Sequence, residues 1–260
     1  MAPKERRIKL TLHYDGSDFF GWQVQPGVRT VQADLEAALS RLADRPISVV
    51  AAGRTDRGVH ATGQVASALM PGKWTPESLR RSLNAILPGD VWVASAEAVA
   101  PEFHARYGAV ARDYLYRIGT APAAFSPFHR RWCWPLRDGL DRDLLEAAAG
   151  SVRGDHSFRA FAKSGQPERG DRCVVYQAHW QAWADLGLEL RIRANRFLHH
   201  MVRYLVGTMV DVARGRRPPG EMAGLLAGVG GLETSPPAPP EGLFLARVYY
   251  SNDEIEREDT

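Results

Sequence analysis

The chain has 260 residues, of which 45% are hydrophobic and 24% are charged, proportions ordinary for a globular protein that argue against disordered and fibrous classes. Its apolar runs are short and interrupted by charge, so no segment is predicted to span a bilayer, and the basic N-terminal residues lead directly into a strand pattern rather than into the apolar core of a signal peptide. The net charge of +3 is mildly basic and arginine greatly outnumbers lysine, which allows a polyanionic partner without establishing one.

Cysteine usage indicates the redox compartment. Cys133 and Cys173 are the only cysteines, and their separation fits neither a zinc knuckle nor a redox pair. We therefore expect two packed thiols in a reducing compartment, the cytoplasm.

The first half of the chain alternates between strand and helix spacing. Ile8–Tyr14 places apolar residues at every second position, as a half-buried strand does. Thr30 and Thr75 are both placed to cap a helix, the second one with proline at its first position. In chain order we predict a strand at Ile8–Tyr14, a helix from Thr30, strands at Ile47–Ala52 and Gln64–Met70, a helix from Thr75 and a strand at Val91–Val99.

The second half follows a similar order with different residues. Two strand-like runs flank Asp185–Gly187, which predicts a hairpin. The predicted elements are strands at Ala109–Ile118, Cys173–Trp183 and Leu188–Ala194, helices from Asp141, at Phe197–Ala213 and at Glu221–Ala227, and a last strand at Leu243–Tyr250. Because strands and helices mix without strict alternation, we expect an α+β fold with mainly antiparallel sheets. The loosely similar order of the two halves makes a duplication a hypothesis.

The run Gly53–His60 carries a distinctive charge pattern. Asp56 lies between Arg54 and Arg57, whose charges stabilise an ionised carboxylate. Glycines within the run permit sharp turns, and loops that leave strand ends commonly carry function. Such a carboxylate can act as a nucleophile, a base or a cation partner. The alternative is that Asp56 merely shapes a turn.

The predicted helix Phe197–Ala213 has an apolar side and a cationic side. At about 100° per residue, the cationic side receives Arg196, His199, His200, Arg203 and Gly207. A glycine beside Arg203 permits the close approach of a backbone or a ligand, whereas the alternative is an ordinary solvated basic face. Adjacent histidines point about 100° apart and no histidine pair has i, i+4 spacing, so we predict no metal site here.

A third cluster combines arginines with tyrosines. In a strand, Arg112, Tyr114 and Tyr116 share one face, and Arg106 precedes them. Aromatic rings beside arginines are how proteins stack exposed bases while binding their phosphates. The alternative is a pair of tyrosines packed across a sheet. Two further tracts repeat the combination and favour RNA over a small anionic metabolite: Phe128–Trp132 and Phe158–Lys163.

Several other chemistries lack their sequence signatures. The chain has no glycine-rich phosphate loop ending in Lys-Ser/Thr, no dinucleotide fingerprint and no Gly-x-Ser-x-Gly elbow. It also has no ligand cluster with zinc spacing. A reaction that needs neither nucleotide energy nor a metal is the simplest interpretation.

Taken in order, these clusters resemble the tRNA pseudouridine synthase A family. The most specific match is Ala52–Ala61 with Gln64–Val65. The other matches run the length of the chain: Tyr14–Gly16, Gly21–Gln23, Thr30–Gln32, Leu35–Glu36, Phe103–Arg106, Arg112–Tyr116, His199–Arg203 with Gly207, and Gly242–Leu243. Two residues depart from the pattern, since Phe20 stands where an aromatic residue with a hydroxyl is common and Arg57 where a small residue is often found.

The resemblance implies an isomerase that converts uridine to pseudouridine at positions 38, 39 and 40 of the tRNA anticodon arm. It implies a homodimer, with no cofactor and no membrane partner. Each chain would contain two related halves, 1–103 and 104–260, each a mainly antiparallel sheet with helices packed on one side, flanking a central RNA-binding cleft.

The resemblance also implies roles for individual residues. Asp56 matches the catalytic aspartate, Arg54 and Arg203 match basic residues that accompany it, and Tyr114 matches the tyrosine that stacks on the target base. The other substrate-binding residues that we predict are Arg57, His60, Arg112, Arg106, His199 and His200.

Two other function classes are considered beside this one. A non-catalytic tRNA-binding module would use Asp56 only to shape its loop. A metal-dependent nuclease would need a cluster of carboxylates, which the sequence lacks. For the isomerase, the sequence leaves open whether Asp56 attacks the anomeric carbon of the ribose or the uracil ring.

Overall fold

The computed structural model describes residues 5–137, 139–163 and 170–258. The strands are β1 (Arg6–Tyr14), β2 (Val50–Ala51), β3 (His60–Met70), β4 (Val91–Ala98), β5 (Ala111–Gly119), β6 (Trp134–Pro135), β7 (Gly154–Ser157), β8 (Arg172–Trp183), β9 (Gly187–Ala194) and β10 (Leu243–Tyr249). The α-helices are α1 (Val31–Ala43), α2 (Pro76–Ile86), α3 (Pro127–Arg130), α4 (Arg142–Ser151), α5 (Met201–Ala213), α6 (Glu221–Leu226) and α7 (Asn252–Glu258).

The chain divides into two compact units. One comprises Met1–Val110 with Leu245–Thr260 and the other Ala111–Phe244, so β10 begins in the second unit and ends in the first. The predicted halves, 1–103 and 104–260, are each expected to carry a set of functional residues. That division stays a prediction. Their outermost residues, 1–4 and 259–260, lie outside the described part of the chain.

The first unit is built around β1. This strand pairs antiparallel with β3 on one side and with β4 on the other, and β2 pairs antiparallel with β3. The order is therefore β4-β1-β3, with β10 also beside β3. The alternation predicted for β1 is confirmed, because Ile8, Leu10 and Leu12 are fully buried in the core. Thr30 and Thr75 cap α1 and α2 as predicted.

The second unit has the strand order β5-β9-β8-β7. These neighbours pair antiparallel, whereas the two-residue strand β6 pairs parallel with β5. The predicted hairpin is confirmed: β8 and β9 are joined by a turn in which the Leu186 N–H donates to the Trp183 carbonyl over 3.0 Å and Ala184 has a positive φ of 44°. Asp141 caps α4 as predicted.

The predicted fold class, α+β with mainly antiparallel pairing, is confirmed, but β2 is shorter than Ile47–Ala52. The reason lies in α1. The Ile47 N–H donates to Ser40 Oγ (2.8 Å) and the Val49 N–H donates to Glu36 Oε1 (2.9 Å). These backbone donors are satisfied by helix side chains instead of a neighbouring strand, so regular pairing begins only at Val50.

The expectations for the two cysteines and for membrane-spanning segments both concern the described residues. Both cysteines are buried free thiols, and burial raises the pKa of Cys133 and of Cys173 to about 11. Across the described ranges, no helix combines the length and the apolar composition needed to cross a membrane.

Candidate active site

Asp56 lies in the loop that joins β2 to β3. Its side chain is half-buried, and Arg54 and Arg57 on either side are exposed. The Val59 N–H donates to the Asp56 carbonyl over 3.2 Å, and Gly58 adopts a positive φ of 78°. The loop is therefore a tight turn closed by backbone groups. The turn nevertheless leaves two cations exposed beside a partly accessible carboxylate.

The segment Tyr14–Trp22, here called the clamping segment, holds this loop. The Trp22 N–H donates to the Thr55 carbonyl (3.0 Å), and the Gly58 N–H donates to the Phe19 carbonyl (3.3 Å). The Tyr14 hydroxyl and Thr55 Oγ1 are hydrogen-bonded at 2.8 Å. Asp56 is thus flanked on both sides by residues bonded to the clamping segment, which restricts the backbone that carries the carboxylate.

Two glycines of the clamping segment allow this close packing. A Cβ at Gly16 would lie 2.1 Å from the Val59 carbonyl oxygen, and a Cβ at Gly21 would lie 2.7 Å from the Thr55 carbonyl oxygen. Gly21 also has a positive φ of 92°. Both positions therefore require glycine for steric reasons, and Gly21 requires it for its backbone conformation as well.

His60 supports the loop from inside the unit. Its side chain is only 1% exposed, and its Nδ1 lies 3.0 Å from the Gly16 N–H donor and 3.2 Å from Asp15 Oδ1. This nitrogen accepts from Gly16 when it is unprotonated and donates to Asp15 when it is protonated. Burial alone would raise the pKa of Asp15, but hydrogen bonds with His60 and Ser17 hold it well below its ordinary range.

A buried amide completes the support. Gln64 is fully buried, and its Nε2 donates to the Gly53 carbonyl over 2.9 Å, which fixes the start of the loop. The same amide lies 3.5 Å from the Tyr14 hydroxyl. Burial raises the pKa of Tyr14 far above its ordinary value and outweighs its hydrogen bonds with Thr55 and Gln64, so this phenol stays protonated.

Arg106 lies in a separate turn of the first unit. The N–H groups of Arg106 and Tyr107 both point to His104 Nδ1, at 3.2 and 3.1 Å. The Tyr107 ring is 61% exposed, and the Arg106 guanidinium lies 5.6 Å from its centroid. The predicted combination of arginine and aromatic ring is therefore present at the surface.

In the second unit, Tyr114 lies on β5 opposite Ile192 of β9. Its side chain is 9% exposed, and its ring meets that of Phe197 edge-on at 4.9 Å. Tyr116 is fully buried and its hydroxyl donates to the Pro239 carbonyl over 2.8 Å. The alternative of packed tyrosines therefore describes Tyr116 well, and Tyr114 is also largely buried.

Arg112 supports the neighbouring strand end. Its Nη1 donates to the Asn195 carbonyl over 2.9 Å, and Asn195 Oδ1 in turn accepts from the Val174 N–H over 3.0 Å. Arg112 thus ties β5 to the residue that follows β9.

The opposite face of β5 contains an ion pair that the sequence analysis missed. Asp113 and Arg193 are both buried, with Arg193 Nε 2.7 Å from Asp113 Oδ1. Arg191 Nη2 lies 3.1 Å from Asp113 Oδ2. Breaking such a pair leaves a buried charge, which is strongly destabilising. Alternating charges along β5 and β9 were visible in the sequence, but their burial was not.

Arg203 lies on α5 and is bound to one residue of the following connector. Its Nε donates to the Ala238 carbonyl over 2.7 Å, and the Ala238 N–H donates to the Arg203 carbonyl over 2.9 Å. A Cβ at Gly207 would lie 2.1 Å from the Pro236 carbonyl oxygen, so the predicted close approach at this glycine is that of a backbone. Most of α5 is buried, but the basic residues at and before its start are half-buried or, at His199, exposed, so the alternative of a solvated basic face stays open.

His199 and His200 precede α5, whereas the predicted helix included them. His200 has a positive φ of 66°, a left-handed conformation that cannot continue a right-handed helix, so α5 begins at Met201. The two imidazole rings lie 4.2 Å apart, with His199 exposed and His200 half-buried. The Lys163 N–H donates to the His199 carbonyl over 3.1 Å.

Each unit therefore groups some of the predicted residues. In the first, Asp56 is flanked by two exposed arginines and supported by His60, while Arg106 belongs to another turn. In the second, the contact between Phe197 and Tyr114 links β5 to the turn that carries His199 and His200. The clamping segment contains two of the family-like motifs, Tyr14–Gly16 and the start of Gly21–Gln23, for which the sequence predicts no role.

Comparison with known proteins identifies what the chain is similar to. A family model described as tRNA pseudouridine synthase matches residues 11–108 and 148–251. Proteins named tRNA pseudouridine synthase A match nearly the whole chain. The one from Moorella thermoacetica is 42% identical over 94% of this chain and 99% of its own length. The one from Bacillus pumilus is 38% identical over 95% of this chain and 100% of its own length.

Proposed function

Because the chain belongs to the tRNA pseudouridine synthase family and is therefore an isomerase that modifies RNA, we propose that it acts at positions 38, 39 and 40 of the tRNA anticodon stem-loop with Asp56 as its nucleophile. The observation that carries the proposal is the loop of Asp56. Bonds from the clamping segment fix the backbone on both sides of this residue, while its side chain stays partly accessible. A positioned carboxylate of this kind suits covalent chemistry better than a structural role.

The reaction needs a nucleophile and a way to retain the base. Pseudouridine formation breaks the C–N glycosidic bond, turns the uracil and rejoins it through C5, with no net oxidation and no group lost. Asp56 begins the reaction either at the ribose anomeric carbon or at the uracil ring. In both cases a carboxylate held in one position reduces the entropy lost in the transition state.

Tyr114 receives the target base in this proposal. Taking a base out of its stack costs a few kcal/mol, and stacking on an aromatic ring returns roughly 1–3 kcal/mol. The edge-on contact with Phe197 holds the Tyr114 ring in one orientation, so little side-chain entropy is lost when a base stacks on it.

We assign the remaining residues supporting roles. Arg54 and Arg203 stabilise negative charge during the reaction. Arg57, Arg106, Arg112, His199 and His200 bind the RNA. His60 is buried, so it contributes by positioning the Asp56 loop.

The proposal extends to the organisation of the protein. The halves 1–103 and 104–260 divide the work, the first supplying Asp56 and the second Tyr114. In the order β1-β3-β2, the strand that comes last in the chain lies between the other two. The order β5-β9-β8 has the same arrangement, and this similarity supports a common origin of the halves. The homodimer, the cytoplasmic location and the central RNA-binding cleft implied by the family resemblance belong to the proposal.

Unmodified tRNA transcripts test the proposal directly. The purified protein is incubated with a transcript without ATP or added metal, and pseudouridine is mapped by base-specific chemistry. We expect pseudouridine at positions 38, 39 and 40 where uridine is present, and none in a transcript with cytidine at these positions. Tight binding without pseudouridine would instead support a non-catalytic tRNA-binding module.

The role of Asp56 is tested by Asp56→Asn. This change keeps the size of the side chain but removes its nucleophilic charge, so we expect turnover to be lost while tRNA affinity stays within a few-fold. Asp44→Asn is the matched control, because Asp44 is an exposed carboxylate at the end of α1 in a left-handed conformation that asparagine also adopts. Turnover retained in Asp56→Asn would place the nucleophile elsewhere.

A further inference from the structure

Two consecutive phenylalanines in the clamping segment each have an arginine guanidinium lying against the ring. The Arg29 guanidinium carbon lies 4.1 Å from the centre of the Phe19 ring, and that of Arg57 lies 4.2 Å from the centre of the Phe20 ring. These distances are those of cation–π pairs. Phe19 is 1% exposed and Phe20 is 39% exposed, so one pair is internal and the other is at the surface.

The internal pair is structural. Arg29 makes a two-pronged contact with Asp90, at 2.7 and 2.8 Å, and its Nε donates to Asp34 over 2.9 Å. The hydrogen bond with Asp90, the largest cause, raises the pKa of Arg29 further above its already high value. The donors of Arg29 are therefore committed to two partly buried carboxylates of the first unit, although the Arg29 side chain is 37% exposed.

The surface pair differs in this respect. Arg57 is exposed and follows Asp56 directly. Within residues 5–137, 139–163 and 170–258, no acidic side chain forms a salt bridge with it. The Arg57 guanidinium thus lies against an aromatic ring and forms no salt bridge with a carboxylate of the described residues.

Phe20 is itself fixed in place. Its N–H donates to the Arg29 carbonyl over 2.9 Å, and its carbonyl accepts from Gln25 Nε2 over 3.0 Å. The Gly58 N–H bonds to the Phe19 carbonyl, which ties the residue after Arg57 to the residue before Phe20. Ring and guanidinium are therefore held together by the backbones on which they lie.

We propose that Phe20 orients Arg57 to bind a backbone phosphate of the RNA strand beside the target uridine. The inference rests on the proposed function and deepens it, with Phe20 as a positioning residue. A ring against the face of a guanidinium leaves the N–H donors in its plane available, and these match two phosphate oxygens. Phosphate is favoured over a base because the unneutralised charge beside Asp56 attracts an anion.

The first test removes the charge. Binding of unmodified tRNA is measured for Arg57→Ala across a range of salt concentrations. We expect affinity to fall roughly tenfold at low salt and the slope of log affinity against log salt to become shallower by about 0.7–0.9, as for the loss of one phosphate contact. Arg81→Ala is the matched control, since Arg81 is an exposed arginine of the first unit, and its slope should not change.

The second test separates orientation from charge. Phe20→Leu keeps an apolar side chain but removes the ring, so we expect it to weaken tRNA binding about threefold. In the Arg57→Ala background the same change should have no further effect, because the cation that it orients is gone. KM for tRNA should rise in all three variants, and the melting temperatures should agree within a few degrees.

These outcomes distinguish the inference from the function on which it rests. If the wild-type protein forms no pseudouridine, the proposed function fails. If it forms pseudouridine while Arg57→Ala keeps the wild-type affinity and salt slope, the inference alone is overturned. Equal and additive effects of Phe20→Leu in both backgrounds would also overturn it, because they would mean that the ring acts independently of Arg57.

Discussion

The contacts of His60 show how a buried residue can support the half-buried Asp56 from inside the unit. His60 lies at the start of β3, four residues after Asp56, and its ring faces Asp15 and Gly16. Burial raises the pKa of Asp15, but hydrogen bonds with His60 and Ser17 lower it by more, so the pKa lies well below its ordinary range. The charge of Asp15 is therefore part of what keeps the clamping segment and the loop together.

Asp15→Asn is expected to lower the free energy of unfolding by about 1–2 kcal/mol at neutral pH. Folding lowers the pKa of this carboxyl, so its charge stabilises the protein fully at pH values above the pKa of the unfolded chain, here 3.8. That stabilisation is lost as the pH falls towards the lower pKa of the folded protein. The difference between wild type and variant should thus be constant above about pH 5 and shrink below pH 4. Denaturant unfolding at several pH values measures it.

The control for this prediction is Asp18→Asn, which alters an exposed carboxylate of the same segment. Its unfolding free energy should match that of the wild type across the same pH range. A difference for Asp15→Asn that persisted undiminished down to pH 2 would show that the charge of Asp15 is not its source.

The two tyrosines of β5 make a second contrast between single residues. Tyr114→Leu should lower turnover at least tenfold through loss of base stacking at temperatures below its melting temperature, which should itself fall because the buried ring loses its contact with Phe197. Tyr116→Phe removes only the hydrogen bond to Pro239, so it should cost about 1 kcal/mol of stability and leave turnover unchanged below its melting temperature. Single-turnover kinetics and thermal unfolding of both variants decide between these roles, and the reverse pattern would exchange them.

At the scale of elements, the clamping segment and the Asp56 loop behave as one piece of structure. Their backbones are joined by hydrogen bonds on both sides of Asp56, and glycines allow the two chains to touch. Displacing either backbone would displace the carboxylate. A shift of about 1 Å in a reacting group is enough to reduce the rate by roughly two orders of magnitude.

Gly21→Ala tests this coupling, with Gly27→Ala as its control. Both glycines lie in the connection between β1 and α1 with positive φ, at 92° and 74°, so both variants carry similar backbone strain of about 1–2 kcal/mol. The new Cβ at Gly21 would lie against the loop, 2.7 Å from the Thr55 oxygen, whereas no atom of the described residues lies within 4 Å of a Cβ at Gly27. We expect kcat to fall about 100-fold in Gly21→Ala only.

The measurements are kcat, tRNA affinity and melting temperature for the two variants side by side. Affinity should stay close to the wild-type value in both, because neither glycine contacts RNA in this proposal. Equal losses of kcat would mean that backbone strain, and not displacement of the Asp56 loop, causes the effect.

Element boundaries show what periodicity can and cannot predict. The caps of α1, α2 and α4 were predicted because Thr30, Thr75 and Asp141 act on their own neighbours. Strand β7 was missed, because its sequence Gly154–Ser157 is polar and gains its pairing from β8. The start of α5 was placed too early, since apolar spacing continues through His200 although its backbone turns left-handed.

The site residues follow the same division. Asp56, Arg54 and Arg57 could be proposed from the sequence because their charges lie together in one short run. The functions of Gly16, Gly21 and Gln64 could not, because each depends on a contact with a residue far along the chain. Resemblance to a family supplied their positions, and the structure supplied the physical reason for them.

At the scale of the whole molecule, the first unit is discontinuous in sequence. Its core contains strands from the beginning of the chain and the end of β10, which lies beside β3. A Cβ at Gly63 would lie 2.0 Å from the Ala246 carbonyl oxygen. The predicted division into 1–103 and 104–260 does not assign the last strand to the first half. Hydrophobic patterns indicate which residues are buried, but they do not indicate which distant strand lies beside them.

Gly63→Ala should therefore destabilise the first unit by about 3 kcal/mol, because the backbones of β3 and β10 would have to separate. Gly89→Ala is the control, since nothing lies within 4 Å of a Cβ at that position in the same unit, and its stability should stay within about 0.5 kcal/mol of the wild type. Hydrogen exchange followed by mass spectrometry reports the effect unit by unit. Unchanged protection of β1 and β3 in Gly63→Ala would contradict the expected role of β10.

The return of β10 also bears on the order of events during translation. The residues of the Asp56 loop leave the ribosome early, but Leu245–Tyr249 is made about 190 residues later, which takes roughly 10–40 s at ordinary elongation rates. Through that interval β3 has no β10 beside it, and its unpaired backbone groups are open to other strands. A nascent chain would thus carry the Asp56 loop well before the fold around it is complete, and an interrupted chain would be a substrate for quality control instead of an enzyme.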